Sequence, residues 1–161
     1  MNRERAVAES EIPADRIEQT PDPILMNVYA SLRNHYGHRG WWPGKTPLEV
    51  AAGAILTQNT AWRNVERAIA NLRDARLLSV AGLRRVSLSR LARLVRPSGY
   101  FNQKAKKLKA LVAFLDREFG GRVSAMRRAE TGALREALLA VHGIGPETAD
   151  SILLYALGKT V

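Results

Sequence analysis

The chain has 161 residues and a formal net charge of +10 at pH 7, because 25 Lys and Arg outnumber 15 Asp and Glu. The 46% of hydrophobic residues suffice for a folded core, and the absence of cysteine excludes a disulfide framework or a cysteine-held metal within this chain. No apolar run approaches the roughly 18 residues that span a membrane, and the polar start does not resemble a secretory signal. We therefore expect an intracellular, cytoplasmic protein with a polyanionic partner and no membrane partner.

The positive charge is concentrated in the middle of the chain. Residues 62–128 contain seventeen basic and four acidic side chains, whereas the segments before and after them are slightly negative. Solvated helix faces would account for this, since Arg and Lys are good helix formers. A surface that faces nucleic-acid phosphates would account for it as well and would make binding steeply salt-dependent. Composition leaves both interpretations open.

The hydrophobic pattern predicts helices throughout. Residues 1–22 lack an apolar period and are expected to form a flexible arm, and a first helix is expected from about Pro23 to Tyr36. After a loop, Thr46 and Glu49 have the spacing of a capping box, with Pro47 at the first helical position. The helix that follows, to about Gln58, is apolar on nearly all sides and should be buried.

Further helices are expected downstream, each with a cap or breaker in the sequence. They run from about Ala61 to Ala75, from Ser79, from Ser87, from Asn102 to Phe119, from Thr131 to near Val141, and from Pro146 to Leu157. We find no strand pair and no fixed-period repeat. The predicted fold class is all-α.

The strongest motif is the turn before the last helix, in the segment VHGIGPETADSIL. Gly143 and Gly145 would admit backbone angles closed to other residues and the close approach of another backbone. Ile144 would fill the space between the helices, and the N–H groups from Gly145 onward would form an anion site. With Thr148, the pattern is typical of a helix-hairpin-helix over about residues 132–157, which contacts DNA without reading sequence. A plain αα-hairpin is the alternative.

Three stretches together resemble the endonuclease III (HhH-GPD) superfamily of base-excision DNA glycosylases. They are EVAAGAILTQNTAWRNVERAIANL, RPSGYFNQKAKKLKAL and VHGIGPETADSILLYALGKTV. The WWPG, LTQNT and VRPSGYFNQKAK segments are most similar to the 3-methyladenine glycosylase-related branch. The resemblance implies a six-helix-barrel domain over residues 23–161 that ends in the hairpin. It also implies a monomer that binds double-stranded DNA, rotates a damaged, alkylated base out of the stack and hydrolyses its glycosidic bond.

The resemblance assigns DNA contacts to the end of the buried helix. Apart from it, a lysine cluster spans more than one helix face, so part of it must face solvent and could contact phosphates; it consists of Lys104, Lys106, Lys107 and Lys109. Gln58 matches the polar residue that relatives place in the emptied base stack, where an amide can bond the orphaned base as donor or acceptor. Asn59 is assigned with it, and Lys104 is the candidate lysine contact. The alternative is that Gln58 and Asn59 only end a buried helix.

The resemblance places the base pocket at the WWPG loop, with Trp42 and Pro43 as its candidate residues. A flat aromatic face would favour a positively charged methylated base through a cation–π contact. Trp41 is more plausible as a core anchor. Leu48 stands where an aromatic residue is common in this branch, so one wall of the slot is expected to differ.

Two departures affect the predicted chemistry. Bifunctional relatives carry a lysine at the position of Glu147, and because a carboxylate cannot form an imine, we expect base removal without efficient strand cleavage. Glu147 also fits a first-turn acid favoured by the helix dipole. The family's catalytic aspartate would lie beyond Val161, so no catalytic residue is expected within the chain, which is predicted to be truncated at its C-terminus.

No metal or resident cofactor is expected within these residues. Some complete relatives carry a [4Fe–4S] cluster in their C-terminal part. Hairpin carbonyls bind a monovalent cation in the family, and the resemblance implies that the hairpin of this chain could bind one as well. His35, His38 and His142 are scattered without an acidic or cysteine partner, so they are not expected to be ligands.

Two other functions stay open at this point. One is a non-catalytic helix-hairpin-helix module that binds DNA phosphates irrespective of sequence. The other is a basic helical scaffold that contacts protein or RNA.

Overall fold

The computed structural model describes residues 22–37 and 42–160, and every regular element within those ranges is helical, which confirms the all-α prediction. The chain divides into two compact units, Met1–Trp41 and Trp42–Val161. None of the described helices is both long enough and apolar enough to cross a membrane. The predictions for the arm before Asp22, for His38 and for Trp41 lie outside the described residues, and the domain boundary at residue 23 stays a prediction.

Within the first unit, helix α1 spans Pro23–Tyr36, as predicted. The Asp22 carboxylate caps it by accepting the Ile24 N–H at 2.8 Å, and Gly37, with φ +69°, follows its last residue. A proline at the first helical position lacks the N–H that would be unpaired there, so the start of this helix is encoded locally.

The second unit contains the remaining helices. They are α2 (Pro47–Leu56), α3 (Trp62–Asp74), α4 (Val80–Arg85), α5 (Leu88–Leu94), α6 (Phe101–Phe119), α7 (Thr131–Leu139) and α8 (Pro146–Ser151). Short 3-10 turns occupy Arg96–Ser98 and Val123–Arg128, and α8 continues into a π-helical turn over Ile152–Ala156. The turn over Val123–Arg128 and the π turn were not predicted.

Helix α2 is the central element of this unit. All its residues from Leu48 to Leu56 are buried, as its apolar pattern predicts, and it contacts α3, α6 and α8. Thr46 caps it as expected by accepting the Glu49 N–H at 3.2 Å. The other half of the predicted capping box, a bond from the Thr46 N–H to the Glu49 carboxylate, is wrong. The buried Glu49 carboxylate accepts a hydrogen bond from Arg73 at 2.7 Å instead. Burial of a carboxylate requires a charged partner, and α3 supplies it.

Four further caps were predicted, and two of them are wrong. Ser79 and Ser87 cap α4 and α5 as expected, by accepting the N–H groups of Gly82 and Arg90. Two neighbouring residues replace the predicted caps of α6 and α7, Asn102 and Thr131, which both lie inside their helices.

The two replacements have physical causes. Tyr100 precedes α6 in the left-handed conformation, with φ 43°, and no side chain caps the helix, so the backbone turn itself begins α6 at Phe101. Glu130 caps α7 because its two carboxylate oxygens accept the N–H groups of Gly132 and Ala133 at 2.8 and 2.7 Å. These bonds hold the pKa of Glu130 below its ordinary value.

Candidate functional site

The turn between α7 and α8 forms a closed helical hairpin. Ile144 fills the space between the helices and is 4% exposed, as predicted, and its N–H donates to the Val141 carbonyl at 3.0 Å. Arg135 of α7 and Asp150 of α8 form a two-bond ion pair, at 2.7 and 3.1 Å. The hydrogen bond from Arg135 holds the pKa of Asp150 below its ordinary value, so the pair links both helices at neutral pH.

The two glycines of the hairpin have different roles. Gly143 has φ +83°, where other residues are strained, and a Cβ there would lie 2.5 Å from the Lys107 Cδ. Gly145 has φ −95° and ψ 179°, an extended conformation that any residue adopts, so the prediction that it needs a special backbone angle is wrong. A Cβ at Gly145 would meet nothing within 4 Å. Fold geometry therefore requires the first glycine, and only an approaching ligand would require the second.

The start of α8 offers unpaired donors to a ligand. No side chain caps this helix, and Gly145 and Glu147 are both exposed at its start. The first N–H groups of a helix have no partner within the helix. Together with the partial positive charge of the helix end, they favour an anion at this place.

Gln58, at the end of α2, is tied into the hairpin. Its Nε2 donates to the Gly143 carbonyl at 3.1 Å and to the Thr148 Oγ1 at 3.0 Å. Its Oε1 accepts a hydrogen bond from the Lys107 ammonium of α6. The structure thus brings together three of the predicted DNA contacts, but it uses the Gln58 amide within the protein.

Asn59 and Tyr100 project from neighbouring loops into solvent. Asn59 is exposed with φ 53°, and Tyr100 is 72% exposed with φ 43°. Both line a recess of about 280 Å³, together with His142. Strained non-glycine residues that persist in a fold concentrate at functional sites. Sequence reasoning missed Tyr100, although an aromatic residue directly after the Pro97–Gly99 break was its available signal.

The structure contradicts the prediction that Lys104 contacts DNA. This residue is 2% exposed, and its ammonium donates to the carbonyls of Leu56 and Ser98 at 2.9 and 2.5 Å. Burial, and secondly the nearby charge of Lys107, lowers the pKa of Lys104. The positive charge instead stabilises the C-terminal end of α2, where unpaired carbonyls carry partial negative charge.

Lys109 serves a similar structural purpose. Its ammonium donates to the carbonyls of Leu83 and Arg84 at 2.7 and 2.8 Å, which closes the C-terminal end of α4. Burial lowers its pKa. Part of the basic character of residues 62–128 is therefore used to terminate helices rather than to form a charged surface.

A cleft of about 790 Å³ joins the hairpin to the end of α2. Its lining includes Trp42, Gln58, Asn59 and Lys107, with the hairpin from Gly143 to Thr148. Glu147 lines the same cleft and is exposed, so its carboxylate stands where the resemblance expects a lysine in bifunctional relatives. The cleft therefore combines backbone donors, one ammonium, one carboxylate and an aromatic wall.

Trp42 is the centre of an aromatic cluster. Its ring meets Trp62 edge to face at 5.5 Å and stacks on Tyr155 at 5.2 Å with an angle of 25° between the planes. Trp42 and Trp62 both line a cavity of about 240 Å³, with Pro43 and Glu49 also in its lining. This geometry is a slot with aromatic walls, at the place where the base pocket was predicted.

Two of these aromatic residues were not predicted as site residues. Trp62 opens α3 and its Nε1 donates to Glu66 at 3.1 Å, whereas Tyr155 lies in the π turn that follows α8. Leu48, the position at which one wall of the slot was expected to differ, is buried in the core and does not line this cavity. Trp62 lines it.

The residues do not fit an iron–sulfur cluster, since the chain contains no thiolate to hold one. Over residues 22–37 and 42–160 no group of three or more His, Asp or Glu side chains forms a metal site. The monovalent cation at the hairpin stays a prediction.

An all-helical unit that ends in a helix-hairpin-helix, with an aromatic slot beside it, defines the class of helical base-excision repair proteins. A sequence model of the HhH-GPD superfamily of base excision DNA repair proteins matches residues 52–146, more than half of the chain. The chain belongs to this superfamily.

Individual relatives agree with this assignment. The chain is 46% identical over 137 residues to a candidate DNA repair glycosylase of Methanocaldococcus jannaschii, with 84% of the chain and 62% of the relative covered. The Helicobacter pylori 3-methyladenine DNA glycosylase MagIII, solved with bound 1,N6-ethenoadenine, is 34% identical with a TM-score of 0.71. That match covers 84% of the chain and 64% of MagIII.

Two more distant structures share the fold. A thermostable thymine-DNA glycosylase and an endonuclease III solved with DNA are 20% and 18% identical, each with a TM-score of 0.65. Each match covers 84% of this chain and 59% of the neighbour. The chain thus spans less than two thirds of the length of these relatives.

Proposed function

We propose that the whole protein is a DNA glycosylase of base excision repair that removes an alkylated purine from double-stranded DNA. The observation that carries this proposal is that the aromatic slot and the cleft at the hairpin share one residue. Trp42 lines both the aromatic slot and the cleft that ends at the hairpin. A base held in the slot would therefore be attached to a backbone that passes the hairpin.

The slot supports the choice of an alkylated purine. Purines stack on aromatic side chains, and an alkylated purine that carries positive charge gains a further cation–π attraction. The lining contains two carboxylates, of Glu49 and Glu66, and two cations, of Lys45 and Arg73, so its formal charge is balanced and the preference for a cationic base rests on the aromatic faces. MagIII, at 34% identity, is named for 3-methyladenine and was solved with bound 1,N6-ethenoadenine.

The hairpin supports DNA as the partner. Backbone N–H groups contact phosphates without reading sequence, as a repair enzyme requires when damage occurs anywhere. The Lys107 ammonium stands in the same cleft, and within the described residues it forms no ion pair with a carboxylate. Glu147 supports base removal without efficient strand cleavage, because no amine stands at that position to form an imine.

The experiment uses protein produced from the complete gene and measures the release of free base from DNA treated with a methylating agent. We expect 3-methyladenine in solution, and we expect strand breaks only after the abasic product is treated with alkali. Trp62→Leu should slow release roughly tenfold or more, because it removes a stacking face. The matched control is Phe119→Leu in a half-buried aromatic residue outside the slot, which should leave the rate unchanged.

Three results would contradict the proposal. Tight binding to duplex DNA with no released base would favour the non-catalytic binding module instead. Equal slowing by Trp62→Leu and Phe119→Leu would show that the slot does not bind the damaged base. Strand cleavage without alkali would contradict the interpretation of Glu147.

A further inference from the structure

Tyr155 contacts the aromatic slot without lining it. Its ring stacks on Trp42 with centroids 5.2 Å apart and 25° between the planes. Trp42 lines both the slot and the cleft at the hairpin, whereas Tyr155 lines neither of these cavities. The stacked ring therefore covers one face of the Trp42 indole and leaves the remainder of that indole to border the cavities.

The Trp42 indole is held by packing from three sides. Trp62 meets it edge to face, at 5.5 Å and 77°, and Tyr155 lies nearly parallel to it. The third neighbour is Gly53 of α2, where a Cβ would lie 3.3 Å from the Trp42 Nε1 and 3.6 Å from the Trp62 Cη2. Both indoles thus rest against the backbone of α2, and the stacked face of Tyr155 sets the tilt of the Trp42 plane.

The two tryptophans of the slot differ in how they are anchored. The Trp62 Nε1 donates a hydrogen bond to Glu66 at 3.1 Å. Among the described residues no hydrogen bond anchors the Trp42 side chain, so its orientation depends on its packing partners. Removal of the Tyr155 ring would consequently free Trp42 to tilt and would leave Trp62 in place.

A π turn brings Tyr155 to this position. The turn spans Ile152–Ala156 and follows α8 directly, with Tyr155 41% exposed. A π turn closes one residue later than an α turn, and such turns are frequent at functional sites. Leu154 of the same turn is similarly exposed, at 44%, and lines neither the slot nor the cleft, which makes it a matched control.

We propose that Tyr155 is a positioning residue that fixes the plane of Trp42 in the orientation in which the slot receives a base. The assignment rests on the proposed function, since it needs a base to enter the slot. Stacking requires aligned rings, and a binding surface that is already held in its bound orientation costs less to occupy. Tyr155 acts through Trp42 rather than on the base itself.

The first test measures base release from methylated duplex DNA by protein from the complete gene. Tyr155→Leu should lower the second-order rate constant of release roughly twofold to tenfold, the range of one aromatic pair. Tyr155→Phe should keep the wild-type value, because phenylalanine retains the stacked ring and lacks only the hydroxyl. Leu154→Ala should also keep it, which controls for any disturbance of the π turn.

A double-mutant cycle shows whether Tyr155 acts through Trp42. In a Trp42→Leu background there is no indole left to position, so Tyr155→Leu should slow release no further. Two residues that act independently would instead give effects that multiply.

The second test needs no activity and follows the indole N–H signals in NMR spectra. The signal of Trp42 is the one lost in Trp42→Phe. Tyr155→Leu should shift and broaden this signal, because the indole can then tilt. Tyr155→Phe and Leu154→Ala should leave it sharp.

The outcomes separate this assignment from the proposed function. Unchanged release by Tyr155→Leu, equal slowing by Tyr155→Phe, or a full further loss in the Trp42→Leu background would each refute the assignment alone. Absence of released base from the wild-type protein would refute the proposed function. The Trp42 signal would then decide whether Tyr155 positions the indole, and a sharp, unshifted signal in Tyr155→Leu would refute that as well.

Discussion

The two hairpin glycines differ in what an added methyl group would meet, and Gly143→Ala and Gly145→Ala test that difference. Gly143 has a positive φ and lies against the aliphatic stem of Lys107, whereas Gly145 is extended and open to the cleft. We expect the first substitution to destabilise the fold and the second to leave it intact. Because the substitutions are identical and two positions apart, each serves as the control for the other.

The expected cost at Gly143 has three parts. The left-handed conformation costs alanine roughly 1–2 kcal/mol, and forcing a methyl group against a packed side chain costs about 1–3 kcal/mol. The reduced entropy of the unfolded chain returns about 0.4–1 kcal/mol. The free energy of unfolding should therefore fall by about 1–5 kcal/mol for Gly143→Ala. Only the entropy contribution applies at Gly145, so that variant should gain about 0.4–1 kcal/mol.

Urea unfolding measures both values, from the shift in the midpoint at an unchanged slope. A double-mutant cycle isolates the clash, because Gly143→Ala should cost less in a Lys107→Ala background, where the stem is gone. Equal stability of the two glycine variants would refute the reasoning. A second result would also refute it. In that result, Gly143→Ala lowers the free energy of unfolding by more than backbone strain can explain, and the loss is the same in the Lys107→Ala background.

Two further predictions concern buried or paired charges. Lys104→Met should lower the free energy of unfolding by about 1–3 kcal/mol at neutral pH, because the carbonyls of Leu56 and Ser98 lose their donor. Burial lowers the pKa of Lys104 in the folded protein. The free energy of unfolding of the wild-type protein should therefore rise with pH between that lowered pKa and the ordinary value of 10.5. Urea unfolding across this pH range should show a smaller rise for Lys104→Met. Asp150 has a lowered pKa in the folded protein, so its ion pair stabilises the fold above the ordinary carboxyl pKa and loses that effect as pH falls through the lowered value. Asp150→Asn should flatten this acid dependence, and an unchanged profile would contradict the role of the pair.

Local patterns predicted the helices and most of their ends. Thr46, Ser79 and Ser87 cap the helices that follow them because each hydroxyl accepts an N–H only three residues away. The failures at Asn102 and Thr131 have the same local character. In each case the residue before the helix differs from the predicted cap. Tyr100 precedes α6 through its backbone conformation, and Glu130 caps α7 because its carboxylate reaches the first N–H groups.

The environment of the site residues could not be predicted, because distant segments create it. Lys104 contacts a carbonyl 48 positions earlier, and Gln58 contacts one 85 positions later. A lysine in an amphipathic helix looks the same in sequence whether it terminates another helix or faces solvent. The aromatic slot has the same difficulty, since Trp42, Trp62 and Tyr155 meet only after α2 and the π turn are packed.

The release of free base from alkylated DNA tests the central claim most directly. Protein from the complete gene should release 3-methyladenine from methylated duplex DNA and leave abasic sites that break only in alkali. The rate should fall with Trp62→Leu and stay constant with Phe119→Leu. Undiminished DNA binding without any released base would contradict the claim that this cleft belongs to a glycosylase for alkylated purines.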